Sequence, residues 1–175
     1  MEEILTYLEM TGPGRLRPAP VVPGLALVPA DDGRRAIRDL QERVAAPHHW
    51  TRLGWADERW ATWLADPGHR QWRFEHGGEA IGVLELAVPA GGEVEIAAFG
   101  LLPSHVGRSL GGYALTLATA QAWRAVTAAG EPASRVWLYT SSLDHPHAVP
   151  NYRRRGFEPY RAERRARPDL DGVVR

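Results

Sequence analysis

From Glu95 to Gly112 the chain reads EIAAFGLLPSHVGRSLGG. A carboxylate opens an apolar run with the character of a buried strand. A Pro-Ser turn and a Gly- and Ser-rich bend follow, and then an Ala/Leu-rich helix begins. Such a junction collects backbone N–H groups that have no intrahelical partner, at the end of the helix where the dipole favours negative charge. The chemistry it predicts is the holding of a phosphate by main-chain donors. About forty residues on comes Asn151-Tyr152-Arg153-Arg154-Arg155-Gly156-Phe157, a phenol followed four positions later by Gly-Phe. The chain has no cysteine, which excludes a disulfide framework and thiolate chemistry. His48-His49 and His145-x-His147 invite a metal reading. Without Cys, and without a carboxylate at a recognisable ligand spacing, no metal site is expected.

These residues need a scaffold, and the composition bounds it. A chain of 175 residues, 44% hydrophobic, can bury one good core. The formal net charge of +0 argues against a nucleic-acid footprint, which needs a basic excess. No apolar run approaches the ~20 residues of a membrane span, and Met1-Glu2-Glu3 is unlike a signal peptide. A soluble, cytoplasmic protein is expected, with no nucleic-acid or membrane partner.

Along the chain, Ile4 to Met10 is strand-like with weak alternation, and Gly12 to Gly24 is Pro/Gly-rich and irregular. Residues 1–24 are read as an N-terminal arm and 25–175 as a single domain. The arm, pairing with the sheet edge of a second chain, is a route to a homodimer. Leu25–Val28 is a short strand. Asp31 and Asp32 offer N-cap chemistry for a helix from Gly33 to Ala45, and a second helix runs from Asp57 to Leu64. Strands follow at Gln71–Glu75 and Ala80–Val88, joined by a His76-Gly77-Gly78 turn, and at Glu93–Leu102. A helix from Arg108 to Ala129, a strand at Val136–Thr140, a short helix at Pro146–Arg154 and a strand at Phe157–Arg161 complete a mixed α/β order.

Two motifs in this order resemble the GNAT superfamily, the acetyl-CoA-dependent N-acetyltransferases. The family's phosphate loop reads Q/R-x-x-G-x-G/A. Here it falls on Val106-Gly107-Arg108-Ser109-Leu110-Gly111, with Gly112 next, Val106 for Gln or Arg and Ser109 for the first Gly. The family's N-P-x-A-x-x-x-Y-x-x-x-G-F is met by Pro146, Ala148, Tyr152, Gly156 and Phe157 in register, with His145 in place of Asn. The resemblance spans roughly Leu25 to Tyr160. It implies a central, mixed, splayed β-sheet flanked by helices on both faces. It also implies transfer of an acetyl group from acetyl-CoA to a primary amine, directly within a ternary complex.

The resemblance distributes roles. An alkyl ammonium, with a pKa near ~10.4, must lose a proton before it attacks, and a base contributes typically ~10²–10⁴-fold. Glu95, fourteen positions before Ser109, is the candidate base. Glu93 and Glu85 are alternatives, as is a water chain. Tyr152 is the candidate acid for the leaving thiolate. The backbone of Phe99, Gly100 and Leu101 faces the pantetheine arm, which pairs with it like an added strand. Val106 to Gly112 cradles the pyrophosphate, with Arg108 adding charge. His145 either contacts the CoA arm or caps the short helix. Trp50 and Trp55 are candidates to line the acceptor pocket, and Trp60 and Trp63 read as core. The run Arg153, Arg154 and Arg155, continuing through Arg161, Arg164, Arg165 and Arg167, could meet the 3′-phosphate of CoA or an acidic partner, and reads first as a solvated face. The acceptor is a small-molecule or peptide amine. A non-catalytic acyl-CoA-binding module, or a transferase for a longer acyl group, is the alternative.

Overall fold

The structure, a computed structural model, describes residues 2–31 and 33–167. Seven strands form one mixed sheet: β1 (Glu2–Met10), β2 (Ala26–Pro29), β3 (His69–His76), β4 (Glu79–Ala87), β5 (Glu93–Leu101), β6 (Arg135–Ser141) and β7 (Glu158–Ala166). Four α-helices accompany them: α1 (Arg34–Ala45), α2 (Asp57–Ala65), α3 (Gly111–Trp123) and α4 (Ala148–Arg154). The sheet order is β2-β3-β4-β5-β6-β1-β7.

The sheet's middle strands are apolar because helices cover both of their faces. Towards α3, Leu84, Leu86, Ile96, Leu138 and Phe157 pack against Ala114, Leu115 and Ala118. Towards α1, Val83 meets Val44 and Leu102 in a smaller cluster that Leu40 and Trp50 extend. The β3–β4 hairpin turns through Gly77 and Gly78, whose φ values of 60° and 80° suit residues without a Cβ.

Three segments differ from their sequence expectation. The N-terminal segment, expected as an arm, supplies β1 to the interior of the sheet, antiparallel to β6 on one side and β7 on the other. Its weak alternation reflects that position: Leu5, Leu8 and Met10 are buried, and so is Glu3. Helix α3 is shorter than the expected 108–129. Its start is delayed because Gly107 and Ser109 have positive φ. Its end is set where Thr127 captures Glu131 through backbone and hydroxyl bonds. Strand β7 runs on past Arg161 to Ala166. Its polar sequence hides a strand held by backbone pairing to β1 and by alternating charges. At α1 no side chain caps the N-terminus; Asp32 and the expected domain's last residues, 168–175, lie outside the described residues.

Candidate active site

Strands β5 and β6 run parallel, and they are paired only from Glu93–Glu95 against Arg135–Trp137. Beyond that point both strands continue, β5 to Leu101 and β6 to Ser141, without pairing to each other. The sheet therefore opens into a V with Glu95 at its vertex. Just past the vertex β5 carries a bulge: Leu86 faces Ile96 and Glu85 faces Ala98, leaving Ala97 unopposed. A cavity of about 810 Å³ fills the V and passes through the sheet from the α3 side to the α1 side.

On the α3 side the cavity meets a cradle of main chain. Gly107 (φ 78°) and Ser109 (φ 60°) turn the bend, and α3 begins at Gly111 with no side-chain cap. Ser109 stands in the left-handed region normally left to glycine, so the departure from the motif is one of residue type and not of backbone shape. Gly112 lies in close approach, since a Cβ there would be 3.1 Å from Arg155 Nη1 and 3.2 Å from Ala19 Cβ. Asn151 Nδ2 donates to Gly111 O (3.1 Å) and ties α4 to the start of α3. Arg154 and Arg155 line the cavity here. The buried Nε of Arg155 has no partner among the described residues. Burial, and then the charge of Arg154, disfavours its charged form. Residues Ala19 to Val22 form the facing wall, anchored where Ala19 N donates to Thr116 Oγ1 and Arg17 N to Arg155 O.

On the α1 side the wall is built from side chains. Glu85 is fully buried and accepts from Arg52 Nη2 (2.6 Å), Trp63 Nε1 (2.9 Å), Gln41 Nε2 (3.2 Å) and Gln71 Nε2. Burial raises its pKa, but the Arg52 bond and charge outweigh this and hold it below the ordinary value. Arg52 also donates to Ala97 O (3.0 Å), which props the bulge. Further along, Glu3 is 2% exposed and accepts from Ser141 Oγ (2.6 Å) and from Arg165 Nε and Nη2 (3.0 and 2.7 Å). Arg167 Nη1 lies 3.7 Å away. Burial pushes Glu3 up, and these partners bring it below the ordinary carboxylate range.

A model of the acetyltransferase (GNAT) family matches residues 35–157. The chain belongs to that family. No curated protein matches it significantly. Solved GNAT structures share its fold at low identity. A GCN5-related N-acetyltransferase from Kribbella flavida is 22% identical with a TM-score of 0.63, over 92% of this chain and 56% of that one. A GNAT-family putative acetyltransferase from Novosphingobium aromaticivorans is 19% identical (TM-score 0.62, 94% and 63%). A GCN5-related N-acetyltransferase from Sphaerobacter thermophilus is 18% identical (TM-score 0.64, 93% and 51%). The chain thus spans between half and two thirds of the length of these GNAT structures.

The GNAT cleft collects most of the residues singled out in the sequence. Phe99, Gly100, Leu101, Val106, Gly107, Ser109, Gly111, Gly112, His145, Tyr152 and Trp50 all line it. Gly100 is glycine because of helix α1: a Cβ there would lie 2.6 Å from Val44 Cγ1. Tyr152, 8% exposed, packs edge-on to Phe99 and Phe157. Burial, then the charge of Asp144, pushes its phenol far above the ordinary value, so it keeps its proton. His145 Nδ1 accepts from His147 N (3.2 Å), the turn-capping role, and this leaves its Nε2 edge for the cavity. Trp50 Nε1 donates to Asp144 Oδ1 (3.1 Å) and bridges the loop after α1 to the loop after β6.

Four predicted residues sit elsewhere. Arg108 is exposed outside the cavity, and Leu110 turns its side chain into the core. Trp55, half-buried, packs on Trp60 and Trp63 beneath Arg59 and Arg52 and is not part of the cavity wall, because the aromatic cluster and its guanidinium partners hold its ring. Glu95 stands at the vertex, half-buried and behind the cavity wall. Burial raises its pKa, opposed by Arg52 and His69 and reinforced by Glu85. The alternatives are otherwise engaged: Glu93 faces solvent near Arg135, and Glu85 is locked. Sequence reasoning missed Glu3 and Arg52, and it read Arg155 and Arg165 first as parts of a solvated arginine run. Among the described residues no group of three or more His, Asp or Glu is placed to hold a metal, and no helix is long and apolar enough to cross a membrane.

Proposed function

We propose that the protein is an N-acetyltransferase that moves an acetyl group from acetyl-CoA to a primary amine in a ternary complex. The observation that carries this is the unpaired divergence of β5 and β6 into a cavity that ends on the uncapped start of α3. Such a cleft offers strand-edge N–H and C=O groups for pantetheine amides and helix-start N–H groups for a pyrophosphate. Gly107, Ser109, Gly111 and Gly112 hold the phosphates, with Arg155 as the charged partner that Arg108 is not. Phe99 to Leu101 hold the pantetheine arm, and His145 adds a donor.

Acetyl-CoA, as co-substrate, supplies an acyl thioester. Glu95 accepts the amine proton through a water, since it stands behind the cavity wall. Its raised pKa brings it nearer to working pH and makes it a better base. N–H groups beside the Ala97 bulge polarise the carbonyl. Tyr152 gives its proton to the departing sulfur. The acceptor amine enters from the α1 side, past Trp50.

Calorimetry with coenzyme A and thiol release from acetyl-CoA with an amine panel test this reading. Tyr152→Phe is expected to lower kcat by roughly 10²-fold while the Kd for CoA changes little. Unchanged turnover removes Tyr152 from the mechanism. That Glu95 does not itself line the cavity favours one other reading, a CoA-binding module without catalysis. That reading requires CoA binding with no thiol release for any amine.

A further inference from the structure

We infer that the acceptor is an amine that also carries a carboxylate, and that Arg165 is the residue that selects it. This rests on the transferase reading above. Arg165 lines the α1-side end of the cavity, and its side chain is 43% exposed. Its guanidinium is fixed on one edge only: Nε and Nη2 both donate to Glu3 Oε1. A guanidinium has five N–H donors and two edges that can each grip a planar carboxylate. The edge formed by Nη1 and Nη2 therefore stays available, and no described residue takes the remaining donors.

The charges around this corner favour an anion. Glu3 lines the cavity beside Arg165 and is 2% exposed, and its carboxylate is held by Ser141 and Arg165, with Arg167 Nη1 3.7 Å away. The other acids nearby are engaged. Glu163 is held by Arg161 and Tyr7, and Glu85 by Arg52. Asp144 is held by Trp50, Thr140 and the Ser141 amide. A guanidinium anchored by a buried carboxylate loses little side-chain entropy on binding, so its free edge is preorganised. An amine bearing a carboxylate can place that group on Arg165 while its nitrogen reaches towards the vertex.

The test measures thiol release from acetyl-CoA by the full chain with the proteinogenic L-amino acids and with the matching amino-acid amides. The amides lack the carboxylate charge and carry a less basic amine, so rates are compared per neutral amine. Acids are expected to exceed their amides in kcat/KM by about 10- to 100-fold, the size of a charge-assisted hydrogen-bond pair. Arg165→Gln should bring the ratio towards one by raising KM for the acids. Arg165→Lys, which keeps the charge and loses the fork, should retain part of it. Equal rates for acids and amides, no turnover of any acid, or a ratio that survives Arg165→Gln each overturn the inference. The wild-type comparison stands even if a variant fails to fold. Loss of CoA binding by the wild type would instead overturn the transferase reading itself.

Discussion

The two flanks of the cleft are made of different materials. On the α3 side the cradle that meets the cavity is main chain, with Arg154 and Arg155 beside it: two residues at positive φ, two glycines and an uncapped helix start, all within Val106 to Gly112. On the α1 side they are side chains from four distant stretches, with Arg52 locked to Glu85 and Glu3 to Arg165. A backbone cradle tolerates changes of residue type, because its donors belong to every residue. A wall of buried ion pairs does not, because removing one partner leaves an uncompensated charge in a low-dielectric site. The first flank suits a group common to every reaction cycle, and the second can be changed to choose an acceptor.

This contrast can be broken most forcefully at Arg52. Arg52→Met strands the buried Glu85 and should cost about 3–5 kcal/mol in denaturant unfolding; adding Glu85→Gln should recover part of it. A loss below about 1 kcal/mol would mean that the α1 flank is not held by its ion pairs. Glu95→Gln should lower kcat/KM by roughly 10²-fold or more and yet raise the Tm at neutral pH. The Glu95 carboxyl titrates above its ordinary value of 4.5 in the folded state. The folded form thus binds the proton more tightly, and stability declines as pH rises through that window. The neutral amide removes this cost, and a Tm unchanged at pH 7 would refute it. On the other flank, Arg155→Gln should weaken CoA by about tenfold in calorimetry with little change in Tm. The smallest effect belongs to Ser109→Gly, which relieves a left-handed serine and should gain at most about 1 kcal/mol without loss of CoA affinity.

The same division explains what could be read from the sequence. The cradle was legible because its signals are local: Pro103, Gly107, Gly111 and Gly112 punctuate one short stretch, and an apolar run precedes them. The hairpin at Gly77-Gly78 and helices α1 and α2 were legible for the same reason. The acceptor wall was not. Glu3 and Arg165 are ordinary charges until β1 lies beside β7, and nothing in the spacing of residues 3, 52, 85 and 165 announces a contact. Arg155 was indistinguishable from its neighbours Arg153 and Arg154, although it alone lies against Gly112. Trp50 and Trp55 are both tryptophans beside the same turn, and only the Asp144 bond brings one of them to the cavity.

Strand β1 has an implication for how this protein is made. Residues 2–10 are sandwiched between β6 and the last described strand, so they cannot find both neighbours until about 160 further residues have left the ribosome. Closing so long a loop is entropically unfavourable, and contacts this remote in sequence assemble slowly. The nascent chain must therefore carry an unsatisfied, partly apolar ribbon until β7 has been made. Its capture would wait for β7, completing the three-strand ladder and the Glu3–Arg165 corner in one event.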